Sequence, residues 1–381
     1  MNASEIVYKP VRQLAGLVRE RQVSPVELTE VFLERLERIG PRYNALVTLM
    51  PDRAMEEAKL AEQEIASGSY RGPLHGIPYG LKDLFAAVGA PTSWGATPFK
   101  DQVFDHDSAV ARKLNEAGAV LLGKLALVEI AGGIQYKQPN ATFTGPGINP
   151  WGGTTWAGGS SSGSGSAVSA GLAPFAIGSE TWGSILTPSS NCGIAGLRPT
   201  YGLVSRAGGM PLSWTLDKPG PMCLTADDCG LVVEAIAGPD SNDLAATDRP
   251  FSYSPEAVDR RYKLAVPAGA IEEADPPMRR NFEAALSRLE RIADIEEVEL
   301  PDYPYWAVIT AIFMGESATI YSEFTGSGKS SELTAPEDRY GIYARSATLA
   351  TDYLRAMRIR KMIARDVDSV MSRYDALVGP G

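Results

Sequence analysis

The chain has 381 residues, of which 44% are hydrophobic and 22% are charged, a composition typical of an ordinary globular protein with a sizeable core. A net charge of −10 argues against direct nucleic-acid binding, because neutralising phosphates requires a basic surface. Three cysteines without metal-ligand spacing indicate reduced thiols in a cytoplasmic protein, and the charged N-terminus resembles neither a signal peptide nor a membrane span.

The N-terminal part of the chain is predicted to be helical. Apolar residues recur at helical spacing between residues 10 and 38, and the pattern breaks at Ser24-Pro25, where serine can cap a helix and proline can occupy its first turn. A third helix, rich in alanine and glutamate, is expected over residues 52–67. We therefore expect residues 1–68 to form a helical segment, beginning with a helical pair, that packs on the main body.

A lysine lies in the next apolar segment. Residues 76–86, GIPYGLKDLFA, are apolar enough to be a buried strand, which would carry Lys82 into the interior. Burial of a charged amine is unfavourable unless a carboxylate pairs with it or its pKa falls. From the residues alone, two interpretations stay open: Lys82 forms a salt bridge with Asp83 or another acid, or it is a neutral amine.

Residues 108–124 are predicted to form a helix that ends at Gly118 and then a strand over 119–124. The following residues, 129–150, are rich in Gly, Asn, Pro and Thr and are predicted to be a surface loop.

The segment from Gly158 to Pro199 contains ten serines and nine glycines among short apolar runs. Such a composition is often a flexible linker, but a linker has no reason to alternate with apolar runs, so we interpret the segment as folded and catalytic. Its first serine loop, residues 158–163, precedes a predicted helix over 166–172. The second, residues 181–184, follows a predicted buried strand over 173–177, which places Ser184 at a strand end.

The remainder of the chain alternates predicted helices and strands. Helices are expected over 229–237, 279–293, 306–321 and 351–372, and strands over 263–267, 296–300 and 374–378. Residues 240–256 are predicted to be a long polar connection. Residues 323–339 are predicted to be a polar loop in which substrate selectivity could reside.

Three other catalytic or nucleotide-binding motifs fit the sequence poorly. The run from Gly159 to Gly163 matches G-x-S-x-G with Ser161 as nucleophile, but both histidines, His75 and His106, precede it, against the usual order. No serine lies three residues before a lysine, as the S-x-x-K motif requires. The phosphate-loop-like run at 326–330 has Glu323 where that motif needs glycine.

The order of motifs closely resembles the amidase signature family of serine amidohydrolases. The resemblance rests on GGSS, then a helix, then GS(E/D)T-x-GSI, then CG-x-x-GL(K/R)PT. It implies that Ser184 is the nucleophile and that Ser160, 24 residues earlier, is the family's cis-peptide serine. It also implies that Lys82, in the element GIPYGLKD, is the third catalytic residue.

The resemblance carries further expectations about the fold and the site. The implied fold is α/β, a mixed central sheet covered by helices on both faces, in a single domain over residues 1–381. The implied oxyanion hole consists of backbone N–H groups of Thr181, Trp182 and Gly183 with that of Ser184. The substrate-binding residues that we assign on this basis are Ala131, Gly132, Gly133 and Ser161. No metal and no cofactor is expected.

The sequence departs from the family pattern in three places. The common form is D-T-G-G-S-I-R, whereas this chain has Glu180 for the acid, Trp182 for a glycine and Leu186 for the arginine. The indole of Trp182 is expected to narrow the pocket. Because Leu186 removes an arginine that often pairs with the acid, Glu180 needs another partner. Family members usually continue beyond the last predicted strand, so the C-terminal end of the usual fold is expected to be missing.

The expected activity is hydrolysis of a carboxylic amide, or of a related ester or carbamate, through an acyl-enzyme on Ser184 with a Ser160–Lys82 relay. An alternative is an amidotransferase subunit, of the kind acting on glutamyl-tRNA, that releases ammonia from glutamine. A member that only binds its ligand is a further alternative, against which the complete triad argues. The expected partner is a small-molecule amide or ester, with no direct nucleic-acid partner and no membrane. The chain could also form a homodimer.

Overall fold

The computed structural model describes residues 3–132, 141–256 and 259–381. They group into two compact units, the first comprising residues up to Tyr253 with Glu316–Ser346, and the second Ser254–Gly315 with Ala347–Gly381. That the whole chain is a single domain stays a prediction. No helix among the described residues is both long enough and apolar enough to cross a membrane.

The α-helices of the described residues are, in chain order, α1 (Ala3–Ile6), α2 (Val11–Arg19), α3 (Pro25–Arg38), α4 (Gly40–Tyr43), α5 (Pro51–Ala66), α6 (Ala109–Glu116), α7 (Ser162–Ser169), α8 (Leu186–Cys192), α9 (Ala226–Ile236), α10 (Ala270–Glu273), α11 (Pro276–Leu289), α12 (Tyr305–Ile320), α13 (Ser322–Gly326), α14 (Pro336–Arg345) and α15 (Ala350–Met371). The strands are β1 (Leu46–Leu49), β2 (Pro78–Lys82), β3 (Val120–Leu125), β4 (Phe175–Glu180), β5 (Ala195–Gly196), β6 (Lys218–Cys223), β7 (Tyr262–Pro267), β8 (Ala293–Val298) and β9 (Ala376–Leu377).

The first unit contains a six-stranded mixed sheet with the order β1-β3-β2-β4-β6-β5. Strand β2 lies at its centre and pairs in parallel with both β3 and β4, while the pairs at the margins are antiparallel. Helices flank the sheet, so the predicted α/β class with a mixed central sheet is confirmed. Every residue of β2 is buried, as expected of a strand at the centre of a covered sheet.

Local signals account for the N-terminal helical pair, α2 and α3. The Ser24 hydroxyl accepts the Glu27 N–H (3.1 Å), and the Glu27 carboxylate accepts the Ser24 N–H (2.9 Å), which closes a capping box at the start of α3. Leu28, Phe32 and Leu36 then bury one face of the helix. The predicted break at Ser24-Pro25 is confirmed.

Several predicted boundaries were wrong. Helix α7 begins at Ser162 rather than at residue 166, and strand β4 ends at Glu180 rather than at 177. The predicted loop over 323–339 contains most of α13 and the start of α14. Strand β6 was missed because Pro219 and Pro221 interrupt its pattern, since proline is normally excluded from central strands.

The second unit contains a parallel sheet with the order β8-β7-β9. Helix α11 and strand β8 both begin about three residues before their predicted starts at 279 and 296.

Candidate active site

The site lies where the two central parallel strands end. Leu81 on β2 pairs with Ile177 on β4, so the strands end side by side, β2 at Lys82 and β4 with Ser179 and Glu180. The carboxyl ends of parallel strands in an α/β sheet are the usual position of a ligand site. The fold therefore brings Lys82 next to residues that lie about a hundred positions further along the chain.

Hydroxyl groups surround the buried amine of Lys82. Its Nζ donates to the Oγ of Ser160 at 2.8 Å and to the Oγ of Ser179 at 3.0 Å. Among the residues that the structure describes, Lys82 forms no ion pair. Burial holds the pKa of Lys82 well below its usual value, although the more distant charges of Asp217 and Glu180 act in the opposite direction.

The carboxylate next to Lys82 in the sequence has a different partner. Asp83 forms a buried ion pair with Lys124 on β3, at 2.8 Å, and accepts the backbone N–H of Ser93 at 3.0 Å. A lysine at a strand end and the residue after it point in different directions, so adjacency in the sequence did not make them a pair. Of the two interpretations of Lys82 left open above, the structure favours the neutral amine.

The first serine loop lies between Lys82 and the second loop. The Gly159–Ser160 peptide bond is cis, in agreement with the resemblance. Ser161 donates its backbone N–H to the carbonyl of Ser184 at 3.2 Å, and its hydroxyl donates to the carbonyl of Ser179 at 3.3 Å. The three predicted catalytic residues, Lys82, Ser160 and Ser184, are therefore buried in one cluster.

A close approach of backbones fixes the start of α7, which follows this loop. A Cβ on Gly163 would lie 2.4 Å from the backbone nitrogen of Ala126 and 2.4 Å from the carbonyl oxygen of Ala45. A side chain at this position would push the serine loop away from β3, so the close approach requires glycine.

Glu180 stabilises the turn that carries Ser184, the predicted nucleophile. One of its carboxylate oxygens accepts the backbone N–H groups of Ile185 and Leu186, each at 2.9 Å. The other oxygen accepts from the Arg198 guanidinium at 3.2 Å. Arg198 is therefore the replacement partner that Glu180 was expected to need.

The residues predicted to form the oxyanion hole lie in this turn. Gly183 has a φ of +103°, a backbone conformation that favours glycine. The hydroxyl of Thr181 donates to the carboxylate of Asp217 at 2.5 Å, and burial raises the pKa of Asp217. That the N–H groups of Thr181, Trp182 and Gly183 bind an oxyanion stays a prediction.

A turn at Glu129–Ala131 holds two of the predicted substrate-binding residues, Ala131 and Gly132, in or directly after it. Ile130 and Ala131 have φ values of +46° and +53°, which are unfavourable for residues with a side chain. Predicted substrate-binding residue Gly133 lies outside the described residues.

Backbone N–H groups and one side chain from a distant part of the chain hold this turn. The Glu129 carboxylate accepts the N–H groups of Thr334 and Ala335, at 2.8 and 3.0 Å. The buried guanidinium of Arg345 donates to the carbonyl of Gly132 at 3.0 Å. These contacts offset the unfavourable backbone geometry.

A cavity of about 220 Å³ adjoins the cluster. Ala131, Ser179 and Thr181 line it, and Ser179, which accepts a hydrogen bond from Lys82, is the lining residue nearest to the buried amine along this network; Lys82, Ser160 and Ser184 themselves do not line the cavity. Neither Ser161, which is buried, nor Trp182 is among its lining residues. That Trp182 sets the size of an acyl pocket stays a prediction, as does the substrate-binding role of Ser161.

Sequence reasoning missed three residues of this site. Ser179 had a usable signal, because residues two apart on a strand share a face and Ile177 was already assigned to β4. Arg198 lies in the GLRPT motif, where its charge marked it as a possible partner. Arg345 had no signal, since 213 residues separate it from Gly132.

Both histidines have partners outside the serine loops. His75 lies 3.0 Å from Glu64 and accepts the N–H of Arg71, while exposed His106 lies beside Asp105. No contact between a histidine and Ser161 occurs among the described residues, which removes support for a Ser–His site.

The fold and this cluster define an α/β enzyme with a buried lysine and two serines at the ends of its central strands. The amidase family matches residues 27–381, and the chain belongs to that family, whose members act on amide C–N bonds.

Similar proteins include amidotransferase subunits and a peptide amidase. A glutamyl-tRNA(Gln) amidotransferase subunit from Methylococcus capsulatus is 35% identical, over 98% of this chain and 82% of that protein. The peptide amidase of Stenotrophomonas maltophilia has a TM-score of 0.84 at 30% identity, over 97% of this chain and 83% of its own. The corresponding amidotransferase protein of Thermotoga maritima has a TM-score of 0.78 at 29% identity, over 97% of this chain and 78% of its own.

Proposed function

We propose that the protein hydrolyses a small-molecule carboxylic amide, or a related ester or carbamate, through an acyl-enzyme on Ser184. The observation that carries this proposal is the environment of Lys82. Its buried amine is hydrogen-bonded to the hydroxyls of Ser160 and Ser179 and forms no ion pair among the described residues, and burial lowers its pKa. A neutral amine in this setting can accept a proton, which a serine nucleophile requires.

The proposed relay runs from Ser184 through Ser160 to Lys82, and the 2.8 Å hydrogen bond between Lys82 Nζ and Ser160 Oγ supports its last step. Ser184 Oγ attacks the amide carbonyl carbon while its proton passes to Ser160 Oγ, and the proton of Ser160 passes to Lys82 Nζ. The reverse transfer protonates the leaving nitrogen as the C–N bond breaks. Water then attacks the acyl ester by the same route and releases the acid and free Ser184.

The experiment is labelling with a fluorophosphonate followed by a panel of amides and esters. We expect Ser184→Ala to abolish labelling, because it removes the proposed nucleophile. Ser161→Ala and Ser162→Ala, which also lose one hydroxyl oxygen each but leave Ser184 intact, should keep most of it. Labelling that persists in Ser184→Ala and disappears in Ser161→Ala would assign the nucleophile to the first loop and overturn the proposal.

A second candidate is an amidotransferase subunit that releases ammonia from glutamine. The name of the Methylococcus relative favours it. The two candidates differ in what activates the protein. Glutamine hydrolysis that appears only when a second subunit co-purifies would support the amidotransferase, whereas turnover of simple amides by the isolated chain would support the hydrolase.

A further inference from the structure

A large aromatic side chain stands at the cavity that adjoins the catalytic cluster. Trp214 lines this cavity, and 46% of the residue is exposed. A single exposed tryptophan is common on protein surfaces and by itself means little. The backbone that carries Trp214 and the chemistry of the surrounding wall distinguish this one.

The backbone at Trp214 is held from three sides. The carbonyl of Trp214 accepts hydrogen bonds from the hydroxyl of Tyr201, at 2.7 Å, and from the guanidinium of Arg206. The buried carboxylate of Glu316 accepts from both flanking residues, from the hydroxyl of Ser213 and from the N–H (3.1 Å) and hydroxyl (2.9 Å) of Thr215.

Asp217 fixes the same segment from within. Its carboxylate accepts the backbone N–H groups of Leu212 and Ser213, at 2.7 and 2.8 Å. Two carboxylates and two donors thus hold a six-residue segment in which Leu212 and Leu216 are buried and the large side chain of Trp214 is left partly in solvent. A rigid aromatic surface loses little conformational entropy when it binds a ligand.

The cavity wall offers little to a charged ligand. Phe85, Met210 and Pro211 contribute apolar surface to it. Arg206 and Asp243 are engaged with each other at 2.7 Å, and Asp217 accepts the three hydrogen bonds given above. Lys218, the remaining charged residue of the lining, also has an interaction of its own.

We propose that Trp214 is a specificity-determining residue that stacks on an aromatic ring of the substrate, so that the preferred substrates are uncharged amides bearing such a ring. The inference rests on the proposed function, in which Ser184 attacks the substrate. The cavity that Trp214 lines is also lined by Ser179 and Thr181, which lie close to Ser184 in the chain. Aromatic pairs favour offset or edge-to-face contacts, and these add to the burial of apolar area.

The test compares two uncharged amides, phenylacetamide and propionamide, in four forms of the enzyme. We expect Trp214→Ala to lower the ratio of their kcat/KM values about 5- to 20-fold, mainly through KM for phenylacetamide, and Trp214→Phe to restore most of the ratio. The matched control is Trp151→Ala, which removes a more exposed indole that does not line the cavity, and it should keep the wild-type ratio. An unchanged ratio in Trp214→Ala, or an equal fall in Trp151→Ala, would overturn the proposal.

A binding measurement separates this proposal from the proposed function. In Ser184→Ala, phenylacetamide should quench tryptophan fluorescence, and the quench should be lost when Trp214→Phe is added. If phenylacetamide binding depends on Trp214 but the wild type hydrolyses no amide, the proposed function is wrong and the aromatic binding site is supported. If the wild type hydrolyses amides but replacing Trp214 changes neither the kcat/KM ratio nor phenylacetamide binding, only the aromatic binding site is wrong.

Discussion

Two buried lysines on neighbouring strands differ in their partners. Lys82 ends β2, and Lys124 lies on the adjacent parallel strand β3, opposite Leu81. Both are fully buried, and burial lowers the pKa of each. Lys124 has the carboxylate of Asp83 at 2.8 Å, which opposes that effect directly, whereas Lys82 has the hydroxyls of Ser160 and Ser179.

The comparison shows that two equally buried lysines can differ in whether a carboxylate stabilises the charged amine. A carboxylate in contact stabilises the charged amine and makes Lys124 part of the core, whereas the hydroxyl partners of Lys82 accept its hydrogen bonds without supplying a negative charge. The following predictions test this difference, beginning with the largest expected effect.

The most direct test replaces the amine of Lys82. Lys82→Arg keeps a positive charge that does not dissociate in a protein, so we expect kcat to fall about 100- to 10,000-fold, and Lys82→Met should fall at least as far. Amide turnover, with circular dichroism to verify folding, is the measurement. Near-wild-type turnover in a folded Lys82→Arg enzyme would end the lysine-base mechanism.

At Lys124, we expect the effect in the stability of the fold. Asp83→Asn leaves the charge of Lys124 buried without its anion, so the free energy of unfolding should fall by about 3–5 kcal/mol. Urea denaturation measures it. The matched control is the double variant Asp83→Asn with Lys124→Met, which removes both charges and should recover much of the loss. A single variant as stable as wild type would show that the ion pair is not what holds Lys124.

The pH dependence should report on Lys82. Because the proposed mechanism requires a neutral Lys82, kcat/KM should rise with pH through the lowered pKa of this amine. The native state binds fewer protons than the unfolded state between that lowered pKa and the ordinary lysine value. Stability from this group therefore rises with pH across that window and is lost as pH falls through it.

The check is the stability profile of Lys82→Met, since this variant is expected to have almost no turnover. In that variant the part of the stability slope due to Lys82 should disappear, measured as the free energy of unfolding at a series of pH values. An unchanged slope would mean that another group titrates in the window.

The smallest effect concerns Arg198, the partner of Glu180. Its side chain is 48% exposed, so solvent screens the pair and we expect Arg198→Met to lower kcat at most about fivefold, since exposed pairs contribute about 0.2–1 kcal/mol. The effect should diminish in high salt, where the wild type loses the same contribution. A salt-independent loss would indicate that the arginine acts by packing.

Part of the site was predictable because the signals are local. The burial of Lys82 follows from the apolar run around it, and the start of α3 follows from Ser24 and Glu27, three residues apart. The motif resemblance identified Ser160 and Ser184, and the structure places both in one cluster with Lys82. The prolines of β6 and the start of α7 were misjudged because tertiary packing overrode local preference.

The sequence by itself determined that the run around Lys82 is buried and that α3 is capped at Ser24, since these depend on neighbours along the chain, and its motif resemblance singled out Lys82, Ser160 and Ser184 as the predicted catalytic residues. Only the tertiary structure decided which charges meet. Asp83 pairs with Lys124 rather than with Lys82, and Arg345 reaches Gly132 across 213 positions. Such pairings depend on the order of strands in the sheet and on where helices cross it. No spacing within the sequence records them, because contacts between distant segments form only when the whole unit packs.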